Sequence, residues 1–272
     1  SRLLLAFEQA ERTDDPAERQ RLLTVAIIGG GPTGVEMAGS IAELARHTLS
    51  DDFRNIDPGA ARVLLIEGAD RLLGAFPETF SDYARRRLEH LGVQVELGRM
   101  IGNVGPHSVK LGEEEIPVGM TIWAAGMEAS PLGRQIGART DKMGRVIVRP
   151  DFSVDGVPDV FVIGDVSRLD DSEGKPLPGL AQVARQQGRH LGKQLARYLH
   201  GGAPVEPFVY RSRGNTAIIG RNAAVFESGR IRLKGFTAWV SWAIIHVYLL
   251  TGFQNRFIVA SHWLWRYLTY ER

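Results

Sequence analysis

Residues 24–39 read TVAIIGGGPTGVEMAG, and the fold is decided by this stretch. Thr24–Ile28 is a short apolar run rich in β-branched residues, the pattern of a strand buried on both faces. It runs into Gly29-Gly30-Gly31-Pro32-Thr33-Gly34 and then into VEMAGSIAELARHTL, which has helical periodicity. A GxGxxG that follows a strand and opens a helix is a dinucleotide-binding turn. Gly29 permits the tight turn, Gly31 lets backbone approach a pyrophosphate, and Gly34 lets helix and strand pack closely. The helix N-terminus adds unbonded N–H groups and positive dipole character. A glycine-rich turn without a ligand is the plain alternative, and the strand–turn–helix context argues against it.

Working outward, Val63–Ile66 is the second strand and Glu67 closes it. A carboxylate there is placed to accept hydrogen bonds from both ribose hydroxyls of an adenosine. It would also repel a 2′-phosphate, which favours NADH over NADPH. Glu67 lies 38 residues past Gly29, where about 20 is usual. An extended helix and loop over 45–61 is expected to take up the excess. Helices are predicted at 2–12, at 16–22 and from Pro77 through FSDYARRRLEHL; strands are predicted at 93–97, 107–111 and 120–124. The alternation over 24–126 predicts an α/β fold with a parallel sheet covered by helices. Beyond it, 127–178 is rich in Gly, Pro and Asp with strand candidates at Val146–Val148 and Val160–Ile163. A helix over 179–200 and a small β unit over 208–233 follow.

The chain has 272 residues, 44% hydrophobic and 24% charged, which suits one large globular domain or two ordinary ones. Without cysteine it carries no disulfide framework, thiolate metal site or cysteine nucleophile. Histidines 47, 90, 107, 190, 200, 246 and 262 show no HExxH pairing, so no metal site is expected. The near-neutral net charge hides an asymmetry. Residues 1–204 hold 24 Lys/Arg against 28 Asp/Glu, whereas 205–272 hold 9 against 3, with four of the five tryptophans. That end points to an anionic surface as partner. Its basic residues are spread among apolar runs, so nucleic acid is not expected. The first residues, RLLLAFEQAE, already read as helix with no signal peptide before them, as in a chain entered part-way through.

From Gly235 to Asn255 there are 21 residues without a formal charge, GFTAWVSWAIIHVYLLTGFQN. The length would span a bilayer. Thr237, Ser241, His246, Thr251 and Gln254 argue against spanning, and Arg256 breaks the run before FIVASHWLW. Two short aromatic helices flanked by arginines fit a hairpin lying in the membrane interface, through 235–268. A spanning helix and a buried hairpin or dimer contact are the alternatives. His246 reads as a packed or capping residue.

Four segments together, AIIGGGPTGVEMAG (26–39), TIWAAG (121–126), VFVIGDVS (160–167) and GLAQVARQQG (179–188), resemble the type II NADH dehydrogenases. These are single-subunit NADH:quinone oxidoreductases of the FAD/NAD(P)-binding pyridine nucleotide-disulfide superfamily. The resemblance implies FAD and NADH as cofactors and hydride transfer from NADH to flavin, then reduction of a membrane quinone without proton pumping. It implies a peripheral, monotopic protein on the cytoplasmic face of the inner (plasma) membrane, with a homodimer possible. It also implies that the N-terminal FAD-binding part, with its own GxGxxG, is absent from this chain.

By the same resemblance, Gly164 and Asp165 hold the ribityl chain of FAD, and Ala125 and Gly126 let backbone pass close to the cofactors. Glu36 faces nicotinamide and flavin; a helix-dipole role is its alternative. Ala181 and Gln182 lie against the isoalloxazine, and Gln182 and Gln186, one helical turn apart, border the quinone headgroup. Arg213 stands where relatives often carry a lysine, and its role stays open. The expected layout is a helical connection over 1–23 and an NADH-binding Rossmann-like domain over 24–126. The returning half of an FAD domain would occupy 127–204 and a C-terminal membrane-anchoring α+β unit 205–272. A soluble two-dinucleotide reductase and a non-catalytic NAD- and membrane-binding module are the competing readings.

Overall fold

Strand β1 (Thr24–Ile28) is buried along its whole length because it lies at the middle of the main sheet, as its unbroken apolar run requires. The computed structural model describes residues 2–50, 52–202, 204–250 and 252–269. Helices α1 (Arg2–Arg12) and α2 (Pro16–Leu22) lead into β1, with Asp15 capping α2 through the Ala17 N–H. After β1 come α3 (Pro32–Glu43), β2 (Arg62–Glu67), α4 (Glu78–His90) and β3 (Val93–Leu97). Next are β4 (Ile101–Val104), β5 (Ser108–Leu111), β6 (Glu114–Pro117) and β7 (Met120–Trp123). The main sheet is parallel, in the order β3-β2-β1-β7.

The parallel sheet agrees with the sequence pattern, but one of its faces is covered differently. The run at 107–111 does not join it: β4, β5 and β6 form an antiparallel meander. Val109, Leu111 and Ile116 of that meander pack on Ala26, Ile28, Leu64 and Ile66. The alternate residues Val25, Ile27, Val63 and Leu65 face α1, α3 and α4. One face of the sheet is therefore helical and the other is β. The excess spacing before Glu67 is taken up by a π-helical turn, Leu44–Thr48, that extends α3, and by a connection with a 3₁₀ turn at Pro58–Ala60.

Residues 126–213 form one compact unit; 1–125 and 214–272 form the other. The 126–213 unit contains α5 (Leu132–Gln135), β8 (Val146–Ile147), β9 (Ser153–Val154), β10 (Val157–Phe161), β11 (Ser167–Arg168) and α6 (Ala181–Leu199). Phe152, Val146, Val148, Leu169 and Leu191 are its core.

In the other unit, β12 (Asn215–Gly220), β13 (Ala223–Ser228) and β14 (Ile231–Gly235) make an antiparallel sheet. Its inner residues Ala217, Ile219, Ala223 and Val225 join the core around α3. The close approach depends on Gly39 of α3, where a Cβ would lie 1.7 Å from the Ile219 carbonyl oxygen. Helices α7 (Phe236–Leu249) and α8 (Phe253–Thr269) then form a hairpin turned at Gly252, whose φ is +83°. Trp242 and Trp263 stack across it at 5.1 Å, and Trp239 meets Tyr267 at 5.2 Å. No helix among the described residues is long and apolar enough to cross a membrane.

Candidate functional site

The glycine-rich turn is held at both ends by backbone bonds. Gly29 N–H donates to Ile66 O at 2.8 Å, and Gly30 O accepts from Leu73 N–H at 2.8 Å. Each glycine answers a different requirement. Gly29 has φ +110°, and a Cβ there would lie 2.7 Å from the Ala124 carbonyl. At Gly34 a Cβ would lie 1.8 Å from Gly29 O, so helix and strand approach only because it is absent. At Gly31 a Cβ would meet nothing within 4 Å. Gly31 is also the N-cap of α3, and no side chain caps the helix. The N–H groups that follow Pro32 therefore have no side-chain partner and face open space beside Gly31, a seat suited to a pyrophosphate.

Glu67 closes the same turn. Its Oε2 accepts from Gly30 N–H at 2.5 Å and its Oε1 from Ala69 N–H at 2.8 Å. Both oxygens are thus oriented by backbone and keep lone pairs for further donors. Ala125 lies at this turn as well, its Cα 2.8 Å from the position of a Gly29 Cβ. The chain leaves the unit at Gly126, which has φ +96°.

Glu36 lies one turn along α3, and its Oε1 accepts from Ile218 N–H in β12 at 3.0 Å. Burial pushes its carboxyl above the ordinary carboxylate range, against the opposing effects of that hydrogen bond and of His246. His246 is exposed rather than packed: its ring lies 4.4 Å from that of Trp242, and Nδ1 lies 3.3 Å from Trp242 O.

In the 126–213 unit, Gly164 has φ +73° and its O accepts from the Ser167 hydroxyl at 2.8 Å. Its N–H donates to Gln187 Oε1 at 2.6 Å. Asp165 next to it is exposed, and the lack of a Cβ on Gly179 leaves space beside its Oδ1. These features fit the hydroxyl-rich chain of a flavin. Ala181 opens α6, whose N-terminus no side chain caps.

Gln182 and Gln186 lie on one face of α6 and clasp the irregular segment 211–213. Gln186 donates to Arg211 O at 2.9 Å and accepts from Arg211 N–H at 3.2 Å; Gln182 accepts from Arg213 N–H at 3.2 Å.

Gln187 is a residue that the sequence reading passes over. Val183, Gln187, Leu191 and Gln194 form the buried face of α6, and Gln187 is 2% exposed. Its place at the four-residue spacing from Val183 and Leu191 is the signal that marks it as buried.

Residues 4–188 match the pyridine nucleotide-disulphide oxidoreductase family. The type II NADH:quinone oxidoreductase Ndh of Mycobacterium tuberculosis is 39% identical over 100% of this chain and 60% of its own length. The internal alternative NAD(P)H-ubiquinone oxidoreductase A1 of Arabidopsis thaliana is 33% identical over 91% of this chain and 51% of its own. The chain thus spans 60% or less of the length of these relatives. NDH2 from Plasmodium falciparum, solved in complex with NADH, shares the fold with a TM-score of 0.83. It is 20% identical, and the match covers 94% of this chain and 68% of that one. A parallel sheet with a Gly31-centred turn, matched through to the Gly164 turn and the start of α6, agrees with what the four motifs imply: the chain belongs to the pyridine nucleotide-disulphide oxidoreductase family.

Proposed function

We propose that this chain is the NADH-binding and membrane-facing portion of an FAD-dependent NADH:quinone oxidoreductase. The observation that carries the reading is the glycine-rich turn, open at Gly31 and closed by Glu67. The M. tuberculosis relative adds support, because its similarity runs through the aromatic C-terminal hairpin as well as the turn.

In this reading the N–H groups at the start of α3 take the pyrophosphate of NADH. Glu67 accepts from the adenosine ribose and disfavours a 2′-phosphate. Asp165 and Gly164 receive the ribityl chain of FAD, with Ala181 and Gln182 beside its ring system. FAD, when bound, supplies the acceptor for hydride and passes electrons on to quinone. The residues named here bind, orient and exclude water. Gln182 and Gln186 offer neutral amides, which can donate to quinone carbonyls without placing a charge beside lipid.

The hairpin serves as the membrane surface. Ile244, Tyr248, Phe257, Leu264, Trp265 and Leu268 are all at least 57% exposed. Such an apolar face on two short helices suits an interfacial position, peripheral on the cytoplasmic face of the inner (plasma) membrane.

The test is NADH-to-quinone turnover with added FAD and liposomes, for 1–272 beside the complete product of its gene. Turnover by the complete product, lost on removing liposome or flavin, is the expected result. A complete product that oxidises NADH but reduces only soluble disulfides would overturn the quinone assignment.

A further inference from the structure

Two cavities of the unit formed by 1–125 and 214–272 meet along Ser40, Glu43 and Arg221 and differ in chemistry. The first, about 940 Å³, is an apolar groove under the hairpin, walled by Trp239, Trp242, Val247, Trp263, Leu264 and Tyr267. The second, about 710 Å³, lies between the π-helical end of α3, the end of α4 and the β12–β13 turn. Arg46, His47, Arg87, His90 and Arg221 line it, with Glu43 as its carboxylate. Glu43 Oε1 already accepts from Arg221 N–H at 2.7 Å. The Arg221 guanidinium is turned to Tyr267, donating to its O and lying 4.5 Å from its ring centroid, so Arg46 and Arg87 supply the positive charge that faces a ligand.

Two details suggest that these charges are held for a ligand. Arg87 Nε is buried and has no hydrogen-bond partner among the described residues, while Nη2 makes only a 3.5 Å contact to Arg221 O. A buried donor without an acceptor is costly, and an incoming anion would relieve it. Arg46 is placed by a second departure from regular structure. The π turn at Leu44–Thr48 carries it toward Gly92, where a Cβ would lie 1.8 Å from its Nη2. π-helical turns of this kind recur at functional sites.

An aromatic groove that shares Ser40, Glu43 and Arg221 with an adjoining cationic pocket is complementary to an amphiphile with an anionic head. We propose that the two cavities together hold one anionic phospholipid, its acyl chain in the groove and its phosphate against Arg46 and Arg87. This rests on the hairpin being a membrane-binding element and adds a defined headgroup site to it.

The experiment uses the complete gene product with vesicles of phosphatidylcholine alone or with one quarter phosphatidylglycerol, read by flotation. Tryptophan quenching by bromine-labelled acyl chains of each lipid reports occupancy of the groove. The parent protein should prefer phosphatidylglycerol in both assays. Arg46→Gln with His47→Gln, both exposed side chains, and separately Arg87→Gln, should each reduce that preference about fivefold per charge removed. Binding to phosphatidylcholine should persist. Arg230→Gln with Arg232→Gln, exposed on the β13–β14 turn and the start of β14, should leave the preference in place.

An equal loss in the β-turn variant would mean diffuse attraction and overturn the site. An unchanged preference in the Arg46 and Arg87 variants would overturn it too. Equal quenching by both lipids, or displacement by an uncharged isoprenoid quinone, would assign the groove to a neutral chain. No binding to either vesicle would instead sink the membrane reading on which the site rests.

Discussion

The Glu36 carboxylate accepts a hydrogen bond from the Ile218 N–H at 3.0 Å, joining α3 to β12 across 182 residues of sequence. The bond ties the helix that opens at the dinucleotide turn to the sheet that carries the hairpin. Burial is the main influence on Glu36 and raises its pKa above the ordinary 4.5. A raised carboxyl pKa means that the fold favours the protonated form. The stabilisation from Glu36 is therefore complete below about pH 4.5 and is lost as pH rises through the raised value. Glu36→Gln keeps an oxygen for Ile218 N–H and has no charge to bury. It should melt above the parent at pH 7, with the gain shrinking toward zero at pH 4. A difference in Tm that does not change with pH would show that ionisation of Glu36 is not its source.

Gly31 and Gly34 separate binding from folding. Gly34→Ala drives a Cβ to 1.8 Å from Gly29 O and should destabilise the protein by about 2–3 kcal/mol. Gly31 has φ −71° and open space at its Cβ position, so Gly31→Ala should cost no more than about 1 kcal/mol, the loss expected for alanine at an N-cap. That same methyl would stand over the α3 N-terminus and should weaken NADH roughly tenfold. Calorimetric titration beside a melting curve checks both. Full NADH affinity in Gly31→Ala would remove the pyrophosphate from this turn.

Such local requirements are what a single sequence displays. The turn is legible because Gly29, Gly31 and Gly34 each satisfy a demand made within a few residues, and β1 and β2 because burial on both faces needs unbroken apolar runs. The meander over 101–117 reads less well. Its strands are four residues long, half-exposed, and stabilised by the face of a sheet built from distant residues. Gly39 looks like any helical glycine until β12 arrives against it. The grouping of 214–272 with the nucleotide unit depends on that same contact, which no local pattern announces. The burial of Gln187 can be read from its spacing on α6, but its partner cannot: Gly164 N–H is 23 residues away.

Glu67 has two duties that a kinetic ratio can distinguish. It orders the turn through Gly30 and Ala69, and in the proposed function it selects NADH. In Glu67→Gln one amide group must face a backbone N–H, so stability should fall by about 1–3 kcal/mol. The preference for NADH over NADPH in kcat/KM should fall roughly tenfold, as a repulsive element against the 2′-phosphate is removed. The ratio does not depend on how much enzyme is folded. An unchanged ratio would leave Glu67 as a structural clasp alone.

The glutamines of α6 should divide in the same way. Gln187→Leu strips the acceptor from Gly164 N–H in a buried place, and the unmet donor should cost about 1–3 kcal/mol. FAD retention should fall with it, since Gly164 carries the turn that presents Asp165. Gln186→Leu breaks two bonds to the Arg211 backbone at a partly exposed position, where water can substitute, so its structural cost should be smaller. If Gln186 borders the quinone headgroup, its loss should raise the KM for quinone several-fold and leave the KM for NADH unchanged. Steady-state kinetics with each substrate varied in turn, beside flavin absorbance per protein, checks both halves. Equal rises in both KM values would mean that Gln186 acts only by clasping Arg211, and the quinone contact would have to be sought elsewhere on the chain.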